Sequence, residues 1–146
     1  MFQITNEKII HDDIVKKVSS PKAGAISTFI GVTRNYTGDL SVDYLFYEAY
    51  EKMSIKMMER IGGWAKEKFD IEKLAITHRI GRVNIEEASV VIAVSSGHRK
   101  AAIEACHYAI DILKEKVPIW KKEFLIDGKE IWIANRPEAK KAFNWG

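Results

Sequence analysis

Residues 88–96 form an unbroken run of small and β-branched side chains closed by Ser95 and Ser96, which reads as a buried strand. The period then changes. On a helical wheel Ala102, Cys106, Ala109, Ile110, Leu113 and Val117 share one apolar arc, while Lys100, Glu104, His107, Asp111 and Glu115 lie opposite. This predicts an amphipathic helix stopped by Pro118, with Lys114 on the border between the two arcs, beside the direction of Ile103 and Ile110. Residues 119–126 then read as a strand, and Asp127-Gly128 turns the chain into a second strand over 130–134.

The first half is patterned more loosely. An extended segment at 2–5 precedes a short amphipathic helix near 12–18, and 23–33 reads as a strand followed by a turn over 35–39. A strand over 42–47 leads into a helix over 51–69 marked by Met53, Ile55, Met57, Met58, Ile61 and Trp64; Gly62-Gly63 weakens its C-terminal half. A strand over 74–80 and a turn at Gly81-Arg82 complete the path back to residue 88. Strand pairs interspersed with helices predict an α+β fold, and with no linker, repeat or low-complexity stretch the expected unit is a single domain over 1–146.

Composition narrows the function. A chain of 146 residues that is 47% hydrophobic is long enough to bury a core, and a net charge of +3 is too mild to imply nucleic acid. No segment approaches a membrane span and no signal-peptide core opens the sequence, so a cytoplasmic protein is expected. Cys106 is the one cysteine and falls on the apolar arc of its helix, which excludes an internal disulfide and points to a buried, inert thiol. The four histidines, His11, His78, His98 and His107, have no metal-ligand spacing, and no bound metal or cofactor is expected. There is no P-loop, dinucleotide fingerprint or nucleophile elbow.

The chemistry that remains is cationic. Ser95-Ser96-Gly97-His98-Arg99 places small polar residues, a histidine and an arginine at the start of a helix, where free N–H groups suit a phosphate or carboxylate; an ordinary helix capped by Ser95 or Ser96 with a solvated His-Arg pair is the other reading. Lys114 is either a snorkelling border residue or, if desolvated among other cations, a nucleophile or acid-base group. Lys121 and Lys122 are adjacent on a strand and face opposite sides, so at most one enters a pocket. Arg34 follows a strand containing Gly31 and can reach a site, or can rest on the surface beside its turn. His78-Arg79 and the cluster Tyr47-Glu48-Ala49-Tyr50 with Met53 read as structural, Trp120 and Trp132 as core or lip residues. Arg136 could serve a neighbouring subunit, and the closing segment over 140–146 is a mobile end or a docking segment.

Together, Phe29-Ile30-Gly31-Val32-Thr33-Arg34, Tyr47-Glu48-Ala49-Tyr50, His78-Arg79-Ile80-Gly81, Ser95-Ser96-Gly97-His98-Arg99, Ile110-Asp111-Ile112-Leu113-Lys114 and Pro118-Ile119-Trp120-Lys121-Lys122-Glu123 closely resemble the large, catalytic subunit family of molybdopterin synthase. Order and spacing match over residues 24–136. The resemblance implies an α/β hammerhead fold with an additional small β subdomain. It also implies a homodimer within a heterotetramer that carries a small ubiquitin-like sulfur-carrier subunit at each end. The implied activity is sulfur transfer: the carrier's C-terminal Gly-Gly thiocarboxylate gives up sulfur in a pocket of the large subunit. Two deliveries convert cyclic pyranopterin monophosphate into the dithiolene molybdopterin.

Carried over by position, Lys114 and Lys121 are the implied catalytic lysines. Thr33, Arg34, His98, Arg99, Lys122 and Glu123 are the implied substrate-pocket positions, and Arg136 matches an arginine given by the second subunit. Thr33 and Gly97 vary from the family's usual residues at those points. The chemistry agrees with a partner-borne sulfur, because a buried cysteine cannot carry its own persulfide. Two other readings compete: a Schiff-base enzyme using Lys114 on a phosphorylated carbonyl substrate, and a non-catalytic module binding RNA through its basic face, for which Tyr44 and Phe46 share one strand face but their neighbours do not repeat the pattern.

Overall fold

The computed structural model describes residues 1–134. Among these, nine strands and three helices follow in the order β1 (Phe2–Thr5), α1 (His11–Val18), β2 (Ala25–Val32), β3 (Tyr36–Thr37), β4 (Leu40–Ala49), α2 (Glu51–Lys68), β5 (Lys73–Arg79), β6 (Gly81–Asn84), β7 (Ala88–Ser96), α3 (Arg99–Lys116), β8 (Ile119–Leu125) and β9 (Glu130–Ala134). The architecture is the expected α+β mixture. One sheet has the order β1-β5-β7-β2, with β1 parallel to β5 and the other pairs antiparallel. The second runs β3-β4-β8-β9, with β6 also on β4.

The first sheet is covered on both faces. β5 and β7 are buried along almost their whole length, as a continuous apolar run predicts, and their side chains alternate between two clusters. Leu74, Ile76, Ile92 and Val94 pack under α2 and α3 with Met58, Ile61, Ala105, Ala109 and Leu113. Ala75, Val91 and Ala93 face the other way onto Ile14 and Val18 of α1. An eight-residue helix has little stability of its own. The two buried residues of α1, one turn apart, hold it to the sheet, and Asp12 and Asp13 complement its N-terminal dipole. Full burial of residues such as Ile76, Ile92 and Leu113 contributes about 1.5–3 kcal/mol each.

Two local expectations are corrected. The glycine at Gly81 does not open a turn: its φ of +84° bends the chain out of the first sheet, and residues 81–84 immediately pair with β4 in the second. Since β4 lies far away in sequence, local pattern could not reveal this pairing. Secondly, neither Ser95 nor Ser96 caps α3. Both are fully buried as the last residues of β7, the N-cap position belongs to His98, and it makes no side-chain capping bond. The Gly62-Gly63 pair does not interrupt α2, which runs unbroken to Lys68.

Candidate functional site

The step at Ile80 and Gly81 brings the end of β5 against β4, so the two sheets meet beside the C-terminal half of α3. A cavity of about 600 Å³ occupies that junction. Residues from β2 and the loop after it, β4, β5, β7, α3 and β8 all line it, among them Thr33, Arg34, Lys114, Lys121 and Glu123. An open groove of about 440 Å³ between β2 and α3 shares Phe29, Ile110 and Lys114 with the cavity.

Lys114 and Arg34 are exposed residues of the cavity wall, whereas Lys121 is half-buried. Burial pushes the Lys121 ammonium below the ordinary lysine range; Glu123 opposes this, and the positive charges of Lys114 and Arg34 add to it. None of the three cations forms an ion pair with a carboxylate among the described residues. Glu123 is only 2% exposed, and its carboxylate accepts a hydrogen bond of 2.5 Å from the Thr37 hydroxyl. That bond ties β8 to β3. Thr33 is buried with its hydroxyl unpartnered among the described residues, although its backbone is held by bonds to Glu87 and Glu86. The arrangement is a pocket with a net positive lining, three cations against the one carboxylate of Glu123, and one amine of lowered basicity; it suits anionic ligands and the stabilisation of developing negative charge.

The other expected site residues lie elsewhere. Lys122 points to the opposite face of β8, where its ammonium pairs with Glu130 at 2.8 Å and sits over Trp132 at 5.0 Å. His98 and Arg99 are exposed at the start of α3, the end of the helix away from Lys114, and do not line the cavity. With a rise of 1.5 Å per residue, Arg99 stands about 22 Å along the helix from Lys114. A single copy of the chain therefore does not gather these cations into one volume. Arg136 lies outside the described residues.

Sequence reasoning passed over part of the lining. Tyr47, His78 and Ser89 are all buried and all face the cavity. A signal existed for His78: with Leu74 and Ile76 it occupies the core-facing side of β5, where a titratable side chain is out of place unless it has a partner. Among the described residues no group of three or more His, Cys, Asp or Glu side chains could hold a metal ion, and no helix is long and apolar enough to cross a membrane.

Comparison with known proteins places the chain among close relatives. The family model described as MoaE protein matches residues 4–116. The molybdopterin synthase catalytic subunit of Bacillus subtilis is 51% identical over 137 residues, covering 94% of this chain and 87% of its own. That of Dictyostelium discoideum is 52% identical over 117 residues, covering 79% of this chain and 74% of its own. The crystal structure of molybdopterin synthase from Staphylococcus aureus superposes with a TM-score of 0.84 at 40% identity, over 88% of this chain and 93% of that one.

Proposed function

The chain belongs to the MoaE family of molybdopterin synthase catalytic subunits, and on that premise we propose that Lys114 and Lys121 carry its sulfur-transfer chemistry inside the cavity between the two sheets. The enzyme is a sulfurtransferase of molybdenum cofactor biosynthesis. Its donor is a small ubiquitin-like carrier ending in a Gly-Gly thiocarboxylate, and its acceptor is cyclic pyranopterin monophosphate. Each delivery moves one sulfur to the pterin side chain and leaves the carrier as a carboxylate. Two deliveries make the dithiolene.

The observation that carries this reading is the convergence of Arg34, Lys114 and Lys121, from three separate elements, on one cavity. Both reactants are anionic there, one through its thiocarboxylate and the other through its phosphate. The groove along α3 offers an extended tail a path that ends at Lys114, where an ammonium at the carrier's terminal carbonyl would stabilise the oxyanion formed on attack. A well-placed donor of this kind contributes on the order of 3 kcal/mol. Lys121, deeper and less basic, gives and takes protons at the pterin. Thr33 and Glu123 line the same wall, and Glu123 holds Lys121's surroundings negative on one side.

The working unit is a homodimer of this chain with one carrier at each end. His98 and Arg99 lie too far along α3 to meet a substrate held at Lys114 of the same copy, so they act on substrate only from a neighbouring one. Arg136 is assigned to the same role. The test is the mass of the product formed from cyclic pyranopterin monophosphate and thiocarboxylated carrier, beside a Lys114→Ala control. Formation of the two-sulfur pterin by the unaltered chain alone supports the assignment; near-normal turnover by Lys114→Ala overturns the role given to that lysine.

A further inference from the structure

The cavity has two layers of different character. Arg34 and Lys114 are exposed and charged. Beneath them lie Tyr47, His78 and Ser89, which are 8%, 3% and 6% exposed. Burying an imidazole where the pattern of β5 calls for another apolar residue costs free energy unless its polar atoms are satisfied. One of them is. Nδ1 lies 2.8 Å from the carbonyl of Arg79, and because a carbonyl only accepts, Nδ1 carries the proton and Nε2 is left as the acceptor nitrogen of the ring.

The neighbours hold the ring in position. The Tyr47 ring meets His78 edge-on, with centroids 5.0 Å apart and planes at 69°. Tyr47 is in turn within hydrogen-bonding reach of Ser89, whose hydroxyl donates to the Gly31 carbonyl at 3.3 Å. Burial holds His78 neutral, with a pKa lowered to about 4, and pushes the Tyr47 phenol up, so neither group is charged near neutrality.

We propose that His78 is a specificity-determining residue of the cavity, its Nε2 accepting a hydrogen bond from an N–H or amino edge of the heterocyclic substrate while Tyr47 and Ser89 hold the imidazole in position. Rings lacking a donor on that edge leave Nε2 buried and unpaired, which discriminates more strongly than the lost bond alone. The inference rests on the functional reading above and divides the labour of the site: cations at the mouth take the anions, and the neutral imidazole beneath them reads the ring.

The experiment compares His78→Asn, which keeps an amide near Nδ1 and removes the Nε2 acceptor, with His78→Gln, whose carbonyl falls near Nε2. Wild-type turnover of cyclic pyranopterin monophosphate with thiocarboxylated carrier is measured first; an inactive wild type overturns the functional reading, and this inference with it. Given an active wild type, His78→Asn is expected to raise KM for the pterin about tenfold while kcat and carrier affinity change little, and His78→Gln to recover most of that loss. An unchanged KM in His78→Asn, or no recovery in His78→Gln, overturns the proposal while leaving the function standing. A second measurement needs no variant: in the wild type labelled with ¹⁵N at histidine, adding cyclic pyranopterin monophosphate should move the Nε2 resonance of His78 and leave Nδ1 in place. An unmoved Nε2 resonance contradicts the proposal.

Discussion

Lys121 and Lys122 are adjacent on β8 and stand on opposite faces of the sheet, Lys121 half-buried in the cavity and Lys122 paired with Glu130 at 2.8 Å over the Trp132 ring. The pleat alone separates them. Lys121→Ala is expected to lower sulfur-transfer turnover by about two orders of magnitude, the usual loss when one well-placed charge is removed from a site. Lys122→Ala removes an ion pair on a partly exposed face, worth about 1 kcal/mol or less, and should affect turnover at least tenfold less. Product formation measured at saturating carrier and pterin distinguishes them; equal losses would show that the face of β8 does not decide function.

The separation of these two lysines was legible in the sequence because strand alternation is a local property, and so was the course of α3. Its expected apolar arc of Ala102, Cys106, Ala109, Ile110, Leu113 and Val117 is buried residue for residue. What was not legible depended on contacts distant in sequence. Residues 81–84 join β4 by a register that no local pattern encodes, and that crossing creates the cavity floor from Tyr47 and His78. The distance from Arg99 to Lys114 was implicit in the helix itself, yet the motifs bearing them read as one cationic set because each was weighed by chemistry rather than by its place along the axis.

Gly62 and Gly63 are neighbours in α2 with opposite surroundings. A Cβ at Gly63 would meet nothing within 4 Å among the described residues, so Gly63→Ala should stabilise the protein by about 0.5–1 kcal/mol through helix propensity alone. A Cβ at Gly62 would come within 2.6 Å of the Phe2 ring. Gly62→Ala must displace that ring from its place against the core, at a cost of about 1–3 kcal/mol that outweighs the propensity gain. Thermal midpoints of the two variants should therefore move in opposite directions, and a rise for both would show that Phe2 yields freely.

Cys106 is 4% exposed, and burial raises its thiol pKa against the opposing effect of a hydrogen bond with Ser27. A thiol held protonated in this way is a poor nucleophile and a poor sulfur carrier. Cys106→Ala is expected to lower stability by about 1 kcal/mol for the small void it leaves, and to keep sulfur transfer within about twofold of the unaltered chain. Loss of transfer in a folded Cys106→Ala protein would mean that sulfur passes through this chain's own cysteine.

The buried imidazole of His78 makes stability depend on pH in a window that can be named. Its pKa is lowered from 6.5 to about 4 by burial, the bond to the Arg79 carbonyl only partly opposing the shift. Between those values the unfolded chain binds a proton at this residue and the folded chain does not, so protons favour unfolding. The contribution of a neutral His78 is complete above pH 6.5, declines as the pH falls and is exhausted near 4. Its full size is about 3 kcal/mol, from 1.36 kcal/mol per pKa unit. Carboxylates titrate in the same range, and comparison with His78→Asn removes them, because they are common to both proteins. Denaturant unfolding of the two chains at a series of pH values should show the wild type losing about 3 kcal/mol more than the variant between pH 6.5 and 4, with parallel curves above pH 7. Curves parallel throughout would mean that His78 accepts a proton in the folded state, and with it that the imidazole facing the cavity is charged.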